Sequence, residues 1–189
     1  MDTARYVVMG VAGVGKTLVG TLLAAALGSE FVEGDAYHPA ANVARMAAGI
    51  PLTDADRQGW LSALAARVAR ARAANAGLVV AASVLKRAYR DVLRAADPDL
   101  RFILLTADRP LIAGRLANRK GHYMPVSLLD SQLAILEPPA ADERAWSYDA
   151  ARPPGAIVAD IIARIAASDV PGADASGQPG DPTHTGRHT

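Results

Sequence analysis

Apolar residues along this chain come in two forms. Some form short unbroken runs that stop at a glycine or a charged residue. Others recur every three to four positions across longer stretches. The runs at 6–9, 78–82 and 101–106 are too short for helices and are dominated by Val, Leu and Ile, which predicts buried strands. Residues 30–32 and 145–149 carry the same signal in a shorter or more polar form. The helical period predicts helices over 17–27, 39–48, 53–74, 86–96, 110–119, 127–136 and 154–167. Gly28 closes the first as a left-handed cap. Pro39 stands at the first position of the second, with Gly49 beyond its end. Thr53 and Asp56 open the long third helix as a capping box. Its apolar stripe is Leu61, Leu64, Ala65 and Val68. Residues 121–126 break the period and read as a loop.

Strands that alternate with helices specify an α/β fold whose parallel sheet is covered on both faces. The order of the strands does not follow from the pattern. Beyond Ser168 the only branched apolar residue is Val170. Residues 1–168 are therefore expected to form one domain and 169–189 a disordered tail.

Composition narrows the function. The 17 arginines and three lysines are scattered and balanced by 19 acids, for a net charge of +1. Nucleic-acid binding wants a clustered basic excess, so no nucleic-acid partner is expected. Cysteine is absent, which excludes disulfide scaffolds, thiolate zinc sites and cysteine nucleophiles. No run approaches the roughly 18 apolar residues of a membrane span. The first five residues are too short and mixed for a secretory leader. A cytoplasmic protein free of the membrane is the expectation.

The chemistry begins where the first strand ends. Gly10-Val11-Ala12-Gly13-Val14-Gly15-Lys16-Thr17 fits G-x-x-x-x-G-K-[ST] between a strand and a helix. Glycines let backbone N–H groups turn inward onto phosphate oxygens, and the helix offers its positive end to the same anion. Lys16 is placed for the β- and γ-phosphates and the Thr17 hydroxyl for Mg²⁺. The expected fold is therefore a three-layer P-loop NTPase fold with a lid. No asparagine is followed by lysine, so the guanine-reading motif of a GTPase is missing. A chain this short suits a small-molecule kinase, which needs an acceptor site, an orienting carboxylate and a cationic lid.

Glu33-Gly34-Asp35 ends the second strand, at the edge where open α/β sheets bind ligands. One carboxylate can hold Mg²⁺ through water, and the other can take a proton from an attacking hydroxyl. His38 opens the next helix. Arg57 is misplaced for capping at a helix N-terminus, which marks it for function instead. Lys86 and Arg90, four apart, are expected on one helix face as a cation pair for an anionic, polyhydroxylated acceptor. Arg115, Arg119 and Lys120 run into Gly121-His122-Tyr123-Met124-Pro125, the makeup of a lid. A kinase for a shikimate-like acid or a nucleoside monophosphate, or a non-catalytic nucleotide-binding regulator, also fits the loop.

Taken together these residues resemble the gluconokinase family, the thermoresistant type among P-loop kinases related to shikimate kinase. The resemblance runs over residues 6–167. It is carried by the P-loop, Gly34-Asp35 with His38-Pro39, Asn42, Met46, Gly49 and Pro51-Leu52. It continues through Asp54-x-Asp56-Arg57-x-x-Trp60-Leu61, Ser83-x-Leu85-Lys86, Tyr89-Arg90-Asp91, Arg115-Leu116, Arg119, His122, Ser131-Gln132 and Leu136-Glu137. Glu33, Arg45, Gly59, Val84 and Leu133 depart from the family's usual Asp, Lys, Pro, Ala and Phe. The resemblance implies ATP- and Mg²⁺-dependent phosphorylation of D-gluconate at its terminal hydroxyl, giving 6-phospho-D-gluconate, in a homodimer. It implies that Asp35 orients or deprotonates the hydroxyl and that Arg57, Lys86 and Arg90 hold gluconate. It also lays Arg115 against adenine and brings Arg119 to the phosphates.

Overall fold

A computed structural model describes residues 3–118 and 126–168 of the chain. Five strands, β1 (Arg5–Met9), β2 (Glu30–Glu33), β3 (Leu78–Ala81), β4 (Arg101–Thr106) and β5 (Ala145–Asp149), form one sheet in the order β2-β3-β1-β4-β5. Every pairing is parallel. Parallel neighbours need crossovers, and these are the helices α1 (Lys16–Leu27), α2 (Ala40–Ala47), α3 (Asp54–Ala73), α4 (Arg87–Ala96), α5 (Arg109–Ala117) and α6 (Val126–Ile135). A last helix, α7 (Pro154–Ser168), follows β5.

Alternation along the strands divides the core into two halves. Tyr6, Val8, Val79, Ile103 and Leu105 pack with Val19 and Leu23 of α1 and Ile157 and Ile161 of α7. Val7, Met9, Val80, Phe102 and Leu104 pack on the other face with Trp60, Leu64 and Val68 of α3 and Leu93 of α4. Both faces of the central strands are dry, which is why they read as unbroken apolar runs. The result is the expected three-layer α/β fold. Among the described residues, no helix is long and apolar enough to cross a membrane.

The caps follow the residues that predict them. Gly28 adopts φ 62°, ψ 31°. Thr53 Oγ1 receives the Asp56 N–H while the Asp56 carboxylate receives the Thr53 N–H. Two short 3-10 turns, Gly34–Tyr37 and Ala141–Glu143, were not predicted. Of the residues 121–126 expected as a loop, Val126 begins α6; the rest, with Arg119 and Lys120, and the expected tail over 169–189 lie outside the described residues.

Since β1, β2 and β3 are in register, their carboxyl ends come level: Glu33 and Val8 both sit opposite Ala81. Gly10, Glu33 and Ser83 therefore meet at one edge, tied by a bond from the Ser83 hydroxyl to the Gly10 carbonyl at 3.1 Å.

Candidate active site

The loop from Gly10 to Thr17 closes over the end of β1. Gly10, Gly13 and Gly15 take φ of 136°, 79° and 113°, values that side chains resist. A Cβ on Gly10 would stand 2.6 Å from the Leu105 carbonyl oxygen. Helix α1 begins on Gly15 with no side-chain cap and no acid in its first turn. Its leading N–H groups and positive end thus face the loop, an arrangement that suits an anion. The Lys16 side chain is 8% exposed, and its Nζ donates to the Val11 carbonyl at 3.0 Å.

Thr17 and Glu33 come together although 16 residues apart. The Thr17 hydroxyl donates to Glu33 Oε2 at 2.7 Å. Two hard oxygen ligands at the phosphate end of the loop fit Mg²⁺, which often takes only one or two ligands from protein. Among the described residues, no group of three or more His, Asp or Glu side chains forms a larger metal cage.

Behind Glu33 the chain passes very close to β3. A Cβ on Gly34 would stand 2.6 Å from the Ala81 carbonyl oxygen and 2.8 Å from the Ala82 Cβ. Gly34 is thus required by close approach. Its carbonyl accepts the buried Trp60 indole N–H at 2.9 Å. Asp35, in the 3-10 turn that follows, is exposed on this edge. His38 stacks on Trp60, and burial is the main influence that lowers its pKa below the usual 6.5. Asp35 opposes that shift and Arg57 reinforces it, so all three groups share one electrostatic neighbourhood.

Two of the expected acceptor cations converge. Arg57 of α3 and Lys86, the residue before α4, each lie 5.7 Å from the centre of the Tyr89 ring. Arg57 is 9% exposed; its Nη2 reaches the Leu52 carbonyl at 3.4 Å, and its Nε has no partner among the described residues. Lys86 binds both carboxylate oxygens of Asp54 at 2.8 and 2.9 Å. The Tyr89 hydroxyl also donates to Asp54. Donation from Lys86 first, and then from Tyr89, holds the Asp54 carboxyl below its usual range.

Arg90 does not join them. Lys86 has extended backbone, φ −92° and ψ 148°, so it is not on the helical face assumed for the pair. Arg90 is 0% exposed and points inward to Glu143, at 2.5 Å from Nε and 2.9 Å from Nη2. Its Nη1 donates to the carbonyls of Val84, Leu85 and Glu137. The structure thus ties this guanidinium to Glu143 and three backbone carbonyls, and does not bring it to the Tyr89 ring with Arg57 and Lys86.

Other residues at the site carried no role in the sequence reading. Glu137 receives the Arg87 N–H at 2.6 Å and so caps α4 from a distant segment. Gln132 of α6 receives the Ala12 N–H at 2.7 Å. Spacing could not disclose either partner. Arg115 donates to the carbonyls of Val14 at 3.1 Å and Ala150 at 2.8 Å, joining the P-loop to the turn after β5. A shallow cavity of about 560 Å³ lies beside it, lined by Pro110, Leu111, Gly114, Arg115 and Asn118.

A phosphate cradle at the end of β1, with carboxylates and cations along the neighbouring strand ends, defines a P-loop kinase. The comparisons agree. Residues 6–139 match the family described as "AAA domain". The gluconokinase of Gluconobacter oxydans is 45% identical over 163 residues, which are 86% of this chain and 92% of that protein. The thermoresistant gluconokinase of Escherichia coli is 42% identical over 75% of this chain and 81% of its own length. A crystal structure of a gluconokinase from Sinorhizobium meliloti superposes with TM-score 0.79 at 44% identity, covering 87% of this chain and 93% of that one. Shikimate kinase from Bacteroides thetaiotaomicron, 16% identical with TM-score 0.63, shares the fold. The chain belongs to the gluconokinase family.

Proposed function

We propose that this protein transfers the γ-phosphoryl group of ATP to the terminal hydroxyl of D-gluconate, giving ADP and 6-phospho-D-gluconate. The observation that carries the reading is the meeting of Arg57 and Lys86 at Tyr89, with Arg57 and Asp35 both acting on His38. A sugar acid needs cations for its carboxylate and a carboxylate near its reacting hydroxyl.

The P-loop N–H groups and Lys16 hold the phosphates, and Arg115 borders the cavity on α5 where the adenine lies. Thr17 and Glu33 are the residues that would hold Mg²⁺, which when bound neutralises charge on the phosphoryl oxygens. Arg57 and Lys86 anchor the carboxylate, with His38 walling the same side. The terminal hydroxyl oxygen attacks the γ-phosphorus, its proton passes to Asp35, and the bond to the ADP oxygen breaks. Charge spreads over the phosphoryl oxygens in a loose transition state, so positioning by the chain outweighs activation of the nucleophile. Arg119 adds lid charge to the phosphates. The same reading makes the protein a cytoplasmic homodimer whose residues 169–189 are dispensable for turnover.

Sugar acids, shikimate and nucleoside monophosphates assayed with ATP and Mg²⁺ test the reading. Turnover confined to gluconate is expected, and Lys16→Ala should nearly abolish it while the fold remains. Turnover of a different acceptor would overturn the substrate, and turnover of none would make the chain a nucleotide-binding regulator.

A further inference from the structure

The peptide group between Val11 and Ala12 is held at both ends. Its carbonyl oxygen accepts from Lys16 Nζ at 3.0 Å, and its N–H donates to Gln132 Oε1 at 2.7 Å. A peptide is planar, so one rotation moves the carbonyl and the N–H together. Whatever fixes the direction of the Ala12 N–H also fixes the oxygen on which the Lys16 ammonium rests. The anchor for Gln132 is firm. Leu129, three residues earlier on α6, is fully buried, and Leu133 packs against the same core. Helix α6 is therefore set by the core, and Gln132 passes that setting to the loop.

We propose that Gln132 is a positioning residue: it fixes the plane of the Val11–Ala12 peptide and, through it, the position of the Lys16 ammonium. This ties α6, which follows residues 119–125, to the cation that meets the γ-phosphoryl group. The inference rests on the reading of the loop as an ATP cradle. Glutamine suits the task because its amide oxygen accepts the N–H without bringing negative charge toward the phosphates. Glutamate would accept the same bond more strongly but would compete with phosphate for Lys16.

The test uses Gln132→Ala and Gln132→Glu, with ADP and a non-hydrolysable ATP analogue, each with Mg²⁺, titrated calorimetrically beside steady-state kinetics. Loss of one hydrogen bond sets the scale at about fivefold. Gln132→Ala should lower kcat by about that factor and leave the gluconate KM within about twofold. Gln132→Glu should weaken the ATP analogue by about tenfold or more relative to ADP, since the added charge opposes the γ-phosphate most. It keeps an acceptor oxygen, so it remains informative if Gln132→Ala fails to fold. A lower Tm with wild-type kcat and an unchanged ratio of ADP to analogue affinity would reduce Gln132 to a packing residue. Wild-type protein that binds neither nucleotide would instead overturn the ATP reading itself.

Discussion

The imidazole of His38 lies flat on the indole of Trp60, with ring centroids 4.5 Å apart and planes 11° apart. The same indole donates its N–H to the Gly34 carbonyl at 2.9 Å. One side chain on α3 thus holds both ends of the turn that carries Asp35. Trp60→Phe keeps a ring for stacking but leaves the Gly34 carbonyl buried without that donor, a loss of about 1–3 kcal/mol. Urea unfolding should show that loss, and the gluconate KM should rise severalfold. The KM for ATP should hold, since the indole bonds to no P-loop group. An ATP KM that rose as far as the gluconate KM would show that Trp60 supports the loop as well.

His38 makes stability depend on pH. Burial depresses its pKa below 6.5, Arg57 adds to the shift and Asp35 opposes it, while buried Nδ1 has no partner among the described residues. Between the folded and unfolded pKa values the unfolded chain binds the proton and the folded one does not. Stability therefore rises with pH through that window and levels off above about 6.5. Asp54 and Asp56 act in a separate window. Bonds from Lys86 and Tyr89, and from the Thr53 backbone and hydroxyl, hold them below 3.8, so their contributions are lost only as pH falls through the depressed values. Unfolding free energies between pH 5 and 7 should slope upward for the wild type. His38→Phe should flatten that slope, and an unchanged slope would show that the imidazole is not the group responsible.

Arg90 and Lys86 should separate in mutation although the sequence pairs them. Arg90→Ala leaves Glu143 buried without its guanidinium partner, and breaking such pairs typically costs about 3–5 kcal/mol. Thermal unfolding should fall sharply, while the protein that remains folded keeps its gluconate KM. Arg90→Lys retains charge and should be intermediate in stability. Arg57→Ala and Lys86→Ala should instead raise the gluconate KM with smaller losses of Tm. A KM for Arg90→Lys raised as far as that of Lys86→Ala would return Arg90 to the acceptor side.

What could be read from the sequence was whatever is local. The P-loop, the Thr53–Asp56 capping box, the Gly28 cap and the five strands each declare themselves within a few residues. The pairing of Thr17 with Glu33 was also within reach, because Thr17 stands in the first turn of the helix after the P-loop and Glu33 ends the second strand, both at the ligand-binding edge of the sheet. Contacts set by tertiary packing were hidden. A four-residue spacing put Arg90 beside Lys86, but Lys86 proved to precede the helix, and Glu143 lies 53 positions further along the chain. Gln132 meets Ala12 across 120 positions. Trp60 is core, and its grip on Gly34 and His38 depends on where β2 ends beside α3. Strand order rests on which crossover packs on which face, and no residue spacing encodes that.

Asp35→Asn should lower kcat far more than it raises the KM for gluconate. Asparagine keeps the size and one acceptor oxygen, so the acceptor hydroxyl can still be oriented beside the P-loop. It cannot take the proton, and it holds no negative charge against the developing positive character of that hydroxyl. General-base help is typically worth about 10²–10⁴-fold. The loose transition state asks little of the nucleophile, so the fall should lie near the lower end of that range. Because the lost interaction belongs to the transition state, kcat and kcat/KM should fall together. Asp35 is exposed on a short 3-10 turn, so the substitution should leave Tm close to that of the wild type, which keeps the kinetic result free of unfolding. If only the gluconate KM changed, Asp35 would be an anchor for the sugar acid. The proton would then have to go to Glu33, and Glu33→Gln would carry the loss in kcat instead.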